Sequence, residues 1–219
     1  DSLISKIVIT NDRVEAEIKN QGKTSKLVAD RVILAIGVSG NTENLGLESL
    51  DVEVENSFIK TDQWCRTNVV GLYAIGDVAG APWLAHKASH EAVICVEHIA
   101  GESTSKPLNR TQIPGCTYCR PQLASVGLTE QGAKQQGINV RVGRFDLQAS
   151  GKAIAINEPK GLVKTIFDAG TGKLIGAHMI GPEVTEQVQG FVVAMGAEMS
   201  DEQLSKTIFP HPTVSESIH

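Results

Sequence analysis

Apolar and polar positions alternate from Leu3 to Ile9, break at Asn11-Asp12, and alternate again from Val14 to Ile18. That period predicts a β-hairpin over residues 3–18. Gln21-Gly22-Lys23 predicts a second turn. From Arg31 the pattern changes to a continuous apolar run, Val32-Ile33-Leu34-Ala35-Ile36, stopped by Gly37. Such a run predicts a strand buried on both faces. Gly40 to Asn44 predicts a loop. Val69 to Asp77 predicts another short buried strand, with its body at 72–76, broken by Gly80-Ala81-Pro82. Leu84 to Ala100 carries Ala85, Ala88, Ala92, Val93, Val96 and Ile99 near helical spacing, so a helix is expected with Gly101 as its stop.

After Pro107 the pattern becomes hairpin-like. Strands are expected over Gln122–Gly127, Val140–Leu147, Lys152–Ile156 and Gly161–Asp168, with a short helix over Thr129–Gln136. Ala169-Gly170-Thr171-Gly172 predicts a hairpin turn with a return strand over Lys173–Ile180. An amphipathic helix is expected over Glu183–Met199, and its residues Val188, Phe191, Val192 and Met195 suggest a subunit contact. Hairpin-joined strands followed by helices predict an α+β domain from about residue 110.

Composition narrows the classes. The chain has 219 residues and a net charge of -5, and no Lys/Arg cluster stands out. No nucleic-acid partner and no anionic membrane surface are suggested. No apolar run reaches the roughly 18 residues of a membrane helix. The four cysteines, Cys65, Cys95, Cys116 and Cys119, are too few and too scattered for a secreted disulfide scaffold, which points to a reducing compartment. The chain opens on Asp1 and ends in a helix-like stretch, so a piece of a longer protein is expected.

The chemistry concentrates at the end of the chain. His211 stands directly before Pro212, with Glu216 five positions on. A histidine titrates nearest neutrality, and a carboxylate on its far nitrogen fixes the tautomer and stabilises the imidazolium. The same residues also read as a capping box, Thr213-x-x-Glu216, and on this segment alone both readings stand. Asp77 lies where a strand is expected to end and Pro82 where a helix begins, an arrangement that can meet ligand hydroxyls or form an ordinary Asx turn. His86 and His90 have a metal-compatible i, i+4 spacing with no third ligand and read as a structural or solvent-facing pair. Cys116 and Cys119 form a lone C-x-x-C and read as free thiols in a strand or turn; no metal is expected. No G-x-G-x-x-G occurs, so a dinucleotide phosphate loop would lie elsewhere.

Several segments together resemble the C-terminal half of the flavin-dependent pyridine nucleotide-disulfide oxidoreductases. They are Val32–Gly37, Asn41–Glu48, Gly71–Val78, Leu84–Ala88, Ala124–Glu130, Gly161–Lys164, Leu174–His178 and His211–Glu216. Within that family the chain is most similar to the branch that serves 2-oxo-acid dehydrogenase complexes. The resemblance implies α/β plus α+β architecture. Residues 1–36 would be the end of an NAD-binding domain, 37–107 a segment of an FAD-binding α/β domain, and 108–219 an α+β dimerisation domain with an antiparallel sheet. It implies that Asp77 holds the ribityl chain of FAD and that the backbone of Leu84, Ala85 and His86 faces the flavin. His211 and Glu216 would be the catalytic acid–base pair, serving the active site of the partner in a homodimer.

The implied reaction is oxidation of a dihydrolipoyl group, with electrons passing through a cysteine disulfide and FAD to NAD. The implied partners are a lipoyl domain and the acyltransferase core of the complex, in the cytoplasm or, in a eukaryote, the mitochondrial matrix. Glutathione reductase, mercuric reductase and a non-catalytic dimerisation fragment are the alternatives. The family's glycine-rich loop and redox cysteine pair are not in this chain, and Cys116 and Cys119 do not replace that pair. Val38-Ser39-Gly40 stand where many members carry two arginines and a proline, which suggests a subgroup serving pyruvate dehydrogenase. The isolated chain is expected to bind FAD weakly or not at all.

Overall fold

The computed structural model describes residues 2–218. Strands β1 (Ser2–Ile9), β2 (Val14–Asn20) and β3 (Lys23–Ala29) form an antiparallel meander in that order. The expected hairpin is therefore present, and the turn at Gln21-Gly22 adds a third strand to it. Val14 and Ala16 are its buried positions, two residues apart as the pleat requires.

The apolar run at 32–36 does not form a strand, which corrects the expectation from its composition. Ile33 is 89% and Ile36 88% exposed. A strand buried on both faces needs neighbours on either side, and no described strand pairs with this one. Residues 69–77 likewise form no strand; Tyr73 makes only an isolated bridge to Arg66. A small cluster of Leu47, Val52, Ile59 and Ala74 anchors this region, beside a two-residue hairpin of β4 (Val54–Glu55) and β5 (Phe58–Ile59). Helix α1 (Ala85–Ile99) follows, and Gly101 (φ 74°) closes it by donating its N–H to His98 O at 3.1 Å.

The C-terminal half is built on five antiparallel strands. These are β6 (Gly115–Thr117), β7 (Gln122–Gly127), β8 (Val140–Asp146), β9 (Leu162–Asp168) and β10 (Leu174–Gly181), in the order β6-β7-β10-β9-β8. Helix α2 (Glu130–Gln135) starts at Thr129, whose Oγ1 accepts from Gly132 N at 2.9 Å. Gly127 and Gly176 face each other across β7 and β10. A Cβ at Gly127 would strike Ile175 O, and one at Gly176 would strike Leu128 O, so the backbones meet only because both residues are glycine. Lys152–Ile156, expected as a strand, is instead the single-turn helix α3 (Gly151–Ala155). Ser150 caps it by accepting from Ala153 N, and that one turn buries Ala153 in the core.

Helix α4 (Val184–Gly196) packs across β7 and β10. Val184, Val188, Phe191, Ala194 and Met195 lie in the same core as Ala124, Val126, Ala177 and Met179. The face expected to meet a partner subunit is thus occupied mainly by the chain's own sheet, with Val192 packed at its margin. The helix's exposed side carries Glu186, Gln189, Gly190 and Val193. It stops short of Met199 because Glu198 adopts φ 53° and Met199 N donates back to Ala194 O at 2.9 Å. A last short helix, α5 (Asp201–Ser205), starts from a complete capping box on Ser200 and Gln203.

Candidate functional site

The terminal motif folds as its spacing suggests. Val214–Ile218 forms a 3-10 turn that brings Glu216 back over His211. His211 Nδ1 meets Glu216 Oε1 at 2.8 Å. The other carboxylate oxygen, Oε2, accepts the Thr213 backbone N–H at 3.0 Å. The carboxylate makes the contacts of both readings at once: one oxygen meets the ring and the other caps the turn. The box itself is half formed, because Thr213 Oγ1 donates to Pro210 O at 2.6 Å instead of accepting from the turn. The Thr213 amide, then the His211 hydrogen bond, hold the Glu216 carboxyl below its ordinary pKa. A carboxylate bonded to Nδ1 fixes the ring orientation and turns Nε2 away from that contact. The His211 side chain is 76% exposed, and among the described residues its Nε2 has no protein partner. His219 lies outside the described residues.

Beneath the motif, Gln187 of α4 donates from Nε2 to Ser217 Oγ at 2.7 Å, and Ser217 donates to Val214 O at 2.6 Å. These buried contacts tie the turn to α4. Sequence reasoning passed over both residues; a buried glutamine within an otherwise apolar helix face was the available signal.

The second constellation lies in the central region. Asp77 sits in the 3-10 turn Gly76–Ala79, exposed, and its carboxylate accepts no hydrogen bond among the described residues. Helix α1 begins beside it at Leu84, with no side-chain cap and no acidic residue in its first turn. The amides of Ala85, His86 and Lys87 therefore remain available, which is the electropositive end of a 15-residue helix. A free carboxylate and a free helix terminus on one short stretch suit a ligand with hydroxyls and an electron-rich edge. The His86 side chain is committed elsewhere, with Nε2 2.8 Å from Pro114 O. A groove of about 510 Å³ between α1 and α4 brings His86, His90, Cys116 and Tyr118 together. Among the described residues no three His, Cys, Asp or Glu side chains gather as metal ligands.

The buried face of α1 carries charge. Lys87, Glu91 and Cys95 point inward at i, i+4 and i+8, while Val93, Val96 and Ile99 are exposed. The apolar positions expected to bury the helix are thus largely its outer side. Lys87 Nζ lies 3.2 Å from Glu91 Oε1, and the pair reaches the Asp77 turn. The i, i+4 Lys–Glu spacing was the missed signal; such pairs are usually solvated. Burial and then the Glu91 charge push the Cys65 thiol up to about 11. Cys116 and Cys119 are free thiols on β6 and in the following turn, and burial pushes Cys116 up.

Two models of one family cover most of the chain: pyridine nucleotide-disulphide oxidoreductase over residues 3–92, and its dimerisation domain over residues 113–219. The chain belongs to the pyridine nucleotide-disulphide oxidoreductases. Among curated relatives it is similar to a dihydrolipoyl dehydrogenase of Rhizobium etli, 58% identical over 91% of this chain and 41% of that protein. It is also similar to the dihydrolipoyl dehydrogenase of Zymomonas mobilis, 52% identical over 100% of this chain and 47% of that protein. The chain thus spans less than half the length of these relatives. Among solved structures it resembles LpdA from Mycobacterium tuberculosis, with a TM-score of 0.90 and 25% identity, covering 99% of this chain and 47% of that one. A flavoprotein disulfide reductase, RclA of Escherichia coli, shares the fold at a TM-score of 0.88 and 24% identity. Among the described residues no helix is long and apolar enough to cross a membrane.

Proposed function

We propose that this chain is the C-terminal portion of a dihydrolipoyl dehydrogenase and supplies its acid–base pair and dimerisation domain. The observation that carries this reading is the His211–Glu216 contact at 2.8 Å, with Nε2 left free toward solvent. Residues 1–36 belong to an NAD-binding domain, 37–107 to an FAD-binding domain and 108–219 to the dimerisation domain; the dimerisation-domain model over residues 113–219 supports the last of these. FAD supplies the two-electron chemistry that links a dithiol to nicotinamide. Asp77 would accept from hydroxyls of its ribityl chain, and the backbone of Leu84, Ala85 and His86 would face the flavin edge, where the free Ala85 and His86 amides would stabilise negative charge. One feature supports that role: among the described residues the Asp77 carboxylate accepts no hydrogen bond and the first turn of α1 has no side-chain cap.

His211 accepts a proton at Nε2 from a substrate thiol, and Glu216 stabilises the resulting imidazolium through Nδ1. The pair serves the partner subunit of a homodimer, whose lipoyl substrate belongs to a 2-oxo-acid dehydrogenase complex with its acyltransferase core. The setting is the cytoplasm, or the mitochondrial matrix in a eukaryote. The test uses the complete enzyme. His211→Ala should lower dihydrolipoamide oxidation about 10²–10⁴-fold, the usual worth of a general base, with FAD content unchanged. Glu216→Gln should be milder, and a variant that lost only thermal stability would leave Glu216 as a cap alone.

A further inference from the structure

Lys87 is 1% exposed, and its ammonium group has three N–H donors. Three acceptors surround it: Glu91 Oε1 at 3.2 Å, Gly76 O at 3.0 Å and Gly80 O at 2.7 Å. Glu91 is equally committed, with Oε2 accepting the Gly76 N–H at 2.8 Å. The two side chains therefore grip the backbone on both sides of Asp77, at residues 76 and 80. The turn has no side-chain cap, and its own closing bond is Gly80 N to Asp77 O at 3.0 Å. Val78 and Ala79 pack on the small apolar cluster, but that packing is not directional; the Lys87–Glu91 clamp supplies the hydrogen bonds from α1. Gly76 (φ 74°) lets the chain pass close to α1, where an added Cβ would stand 3.3 Å from Ala88 Cβ.

Burying an ion pair is a poor route to stability, since well-packed apolar side chains of similar volume do as well or better. What apolar side chains cannot do is hold two carbonyls and an amide in a set geometry. The i, i+4 spacing fixes the pair to the first turns of α1, the same turns whose amides are free. The clamp therefore locks the position of the Asp77 carboxylate to the helix terminus, so that the two present one surface to one ligand.

We propose that Lys87 and Glu91 are positioning residues for the FAD site, holding Asp77 in register with the α1 N-terminus. This rests on the reading of Asp77 as the ribityl partner. The experiment uses the complete polypeptide that carries these residues. FAD binding is followed by flavin fluorescence, and ADP binding by calorimetry; ADP shares the adenine and pyrophosphate of FAD and has no ribityl chain. Lys87→Met and the double variant Lys87→Met/Glu91→Leu should weaken FAD binding about tenfold or more and shift the flavin absorption band, with ADP affinity held to within about twofold. Glu91→Gln keeps an oxygen for the Gly76 amide and should weaken FAD binding by a smaller factor; it carries the test where Lys87→Met does not fold. Equal loss of FAD and ADP binding would mean a general structural role and would overturn the proposal. FAD binding unchanged in the clamp variants but weakened in Asp77→Ala would overturn it alone. FAD binding unchanged in Asp77→Ala would remove the underlying reading and the clamp's role with it.

Discussion

Residues 113–218 and residues 31–99 dispose of their apolar side chains in opposite ways. In the first, α4 lies on a five-stranded sheet and Phe191, Val184 and Leu147 are fully buried. In the second, Ile33, Leu34 and Ile36 stand in solvent, as do Val93, Val96 and Ile99 of α1, while a lysine and a glutamate are buried. The first unit holds its own core. The second is organised by a small apolar cluster and by polar clamps, and its larger apolar surfaces face outward. This matches a chain that spans less than half of its relatives' length. Hydrophobic pattern reports where a side chain is buried in a whole fold; hydrogen-bonded polar groups report what each segment settles for itself.

That contrast can be broken by substitution. Phe191→Ala should cost about 3–5 kcal/mol, read as a fall in urea midpoint for the sheet's signals; a change below about 1 kcal/mol would mean the core is looser than its packing shows. Thr129→Ala removes the α2 cap and should cost about 1 kcal/mol, measured in the same way. Val96→Ser on the outer face of α1 should fall within about 0.5 kcal/mol; a larger loss would show that this face is covered within the chain.

The smallest effect concerns pH. The folded Glu216 carboxyl titrates below its reference of 4.5, so its contribution is present above that value and is lost as pH falls through the folded one. Carbon-13 NMR of the Glu216 carboxyl should give a midpoint under 4.5, with the Thr213 amide resonance moving in step. A midpoint at or above 4.5 would show that the turn does not hold this geometry in solution.

Much of the C-terminal unit could be read from residue order. Short strand-like runs mark β7 and β9, the Ala169–Gly172 turn marks their neighbour β10, and spacing marks α4. Local signals sufficed there because the partners are close in sequence. They failed at 152–156, where alternating Ile and Ala fit a strand as well as a helix and the Ser150 cap decides. They failed at 32–36 and 72–76, where a strand needs pairing that these residues do not provide. The α4 residues expected at a subunit contact were correctly read as apolar, but most are used inside the protomer. At the terminal motif, residue types and spacing brought His211 and Glu216 together as expected. The division of one carboxylate between ring and backbone was a matter of three-dimensional reach.

That division has an evolutionary side. Glu216 closes the final turn with one oxygen and holds the His211 ring with the other. A population screened only for heat resistance would keep this glutamate for the turn. It would thereby carry the oriented imidazole through generations in which no one asked for chemistry.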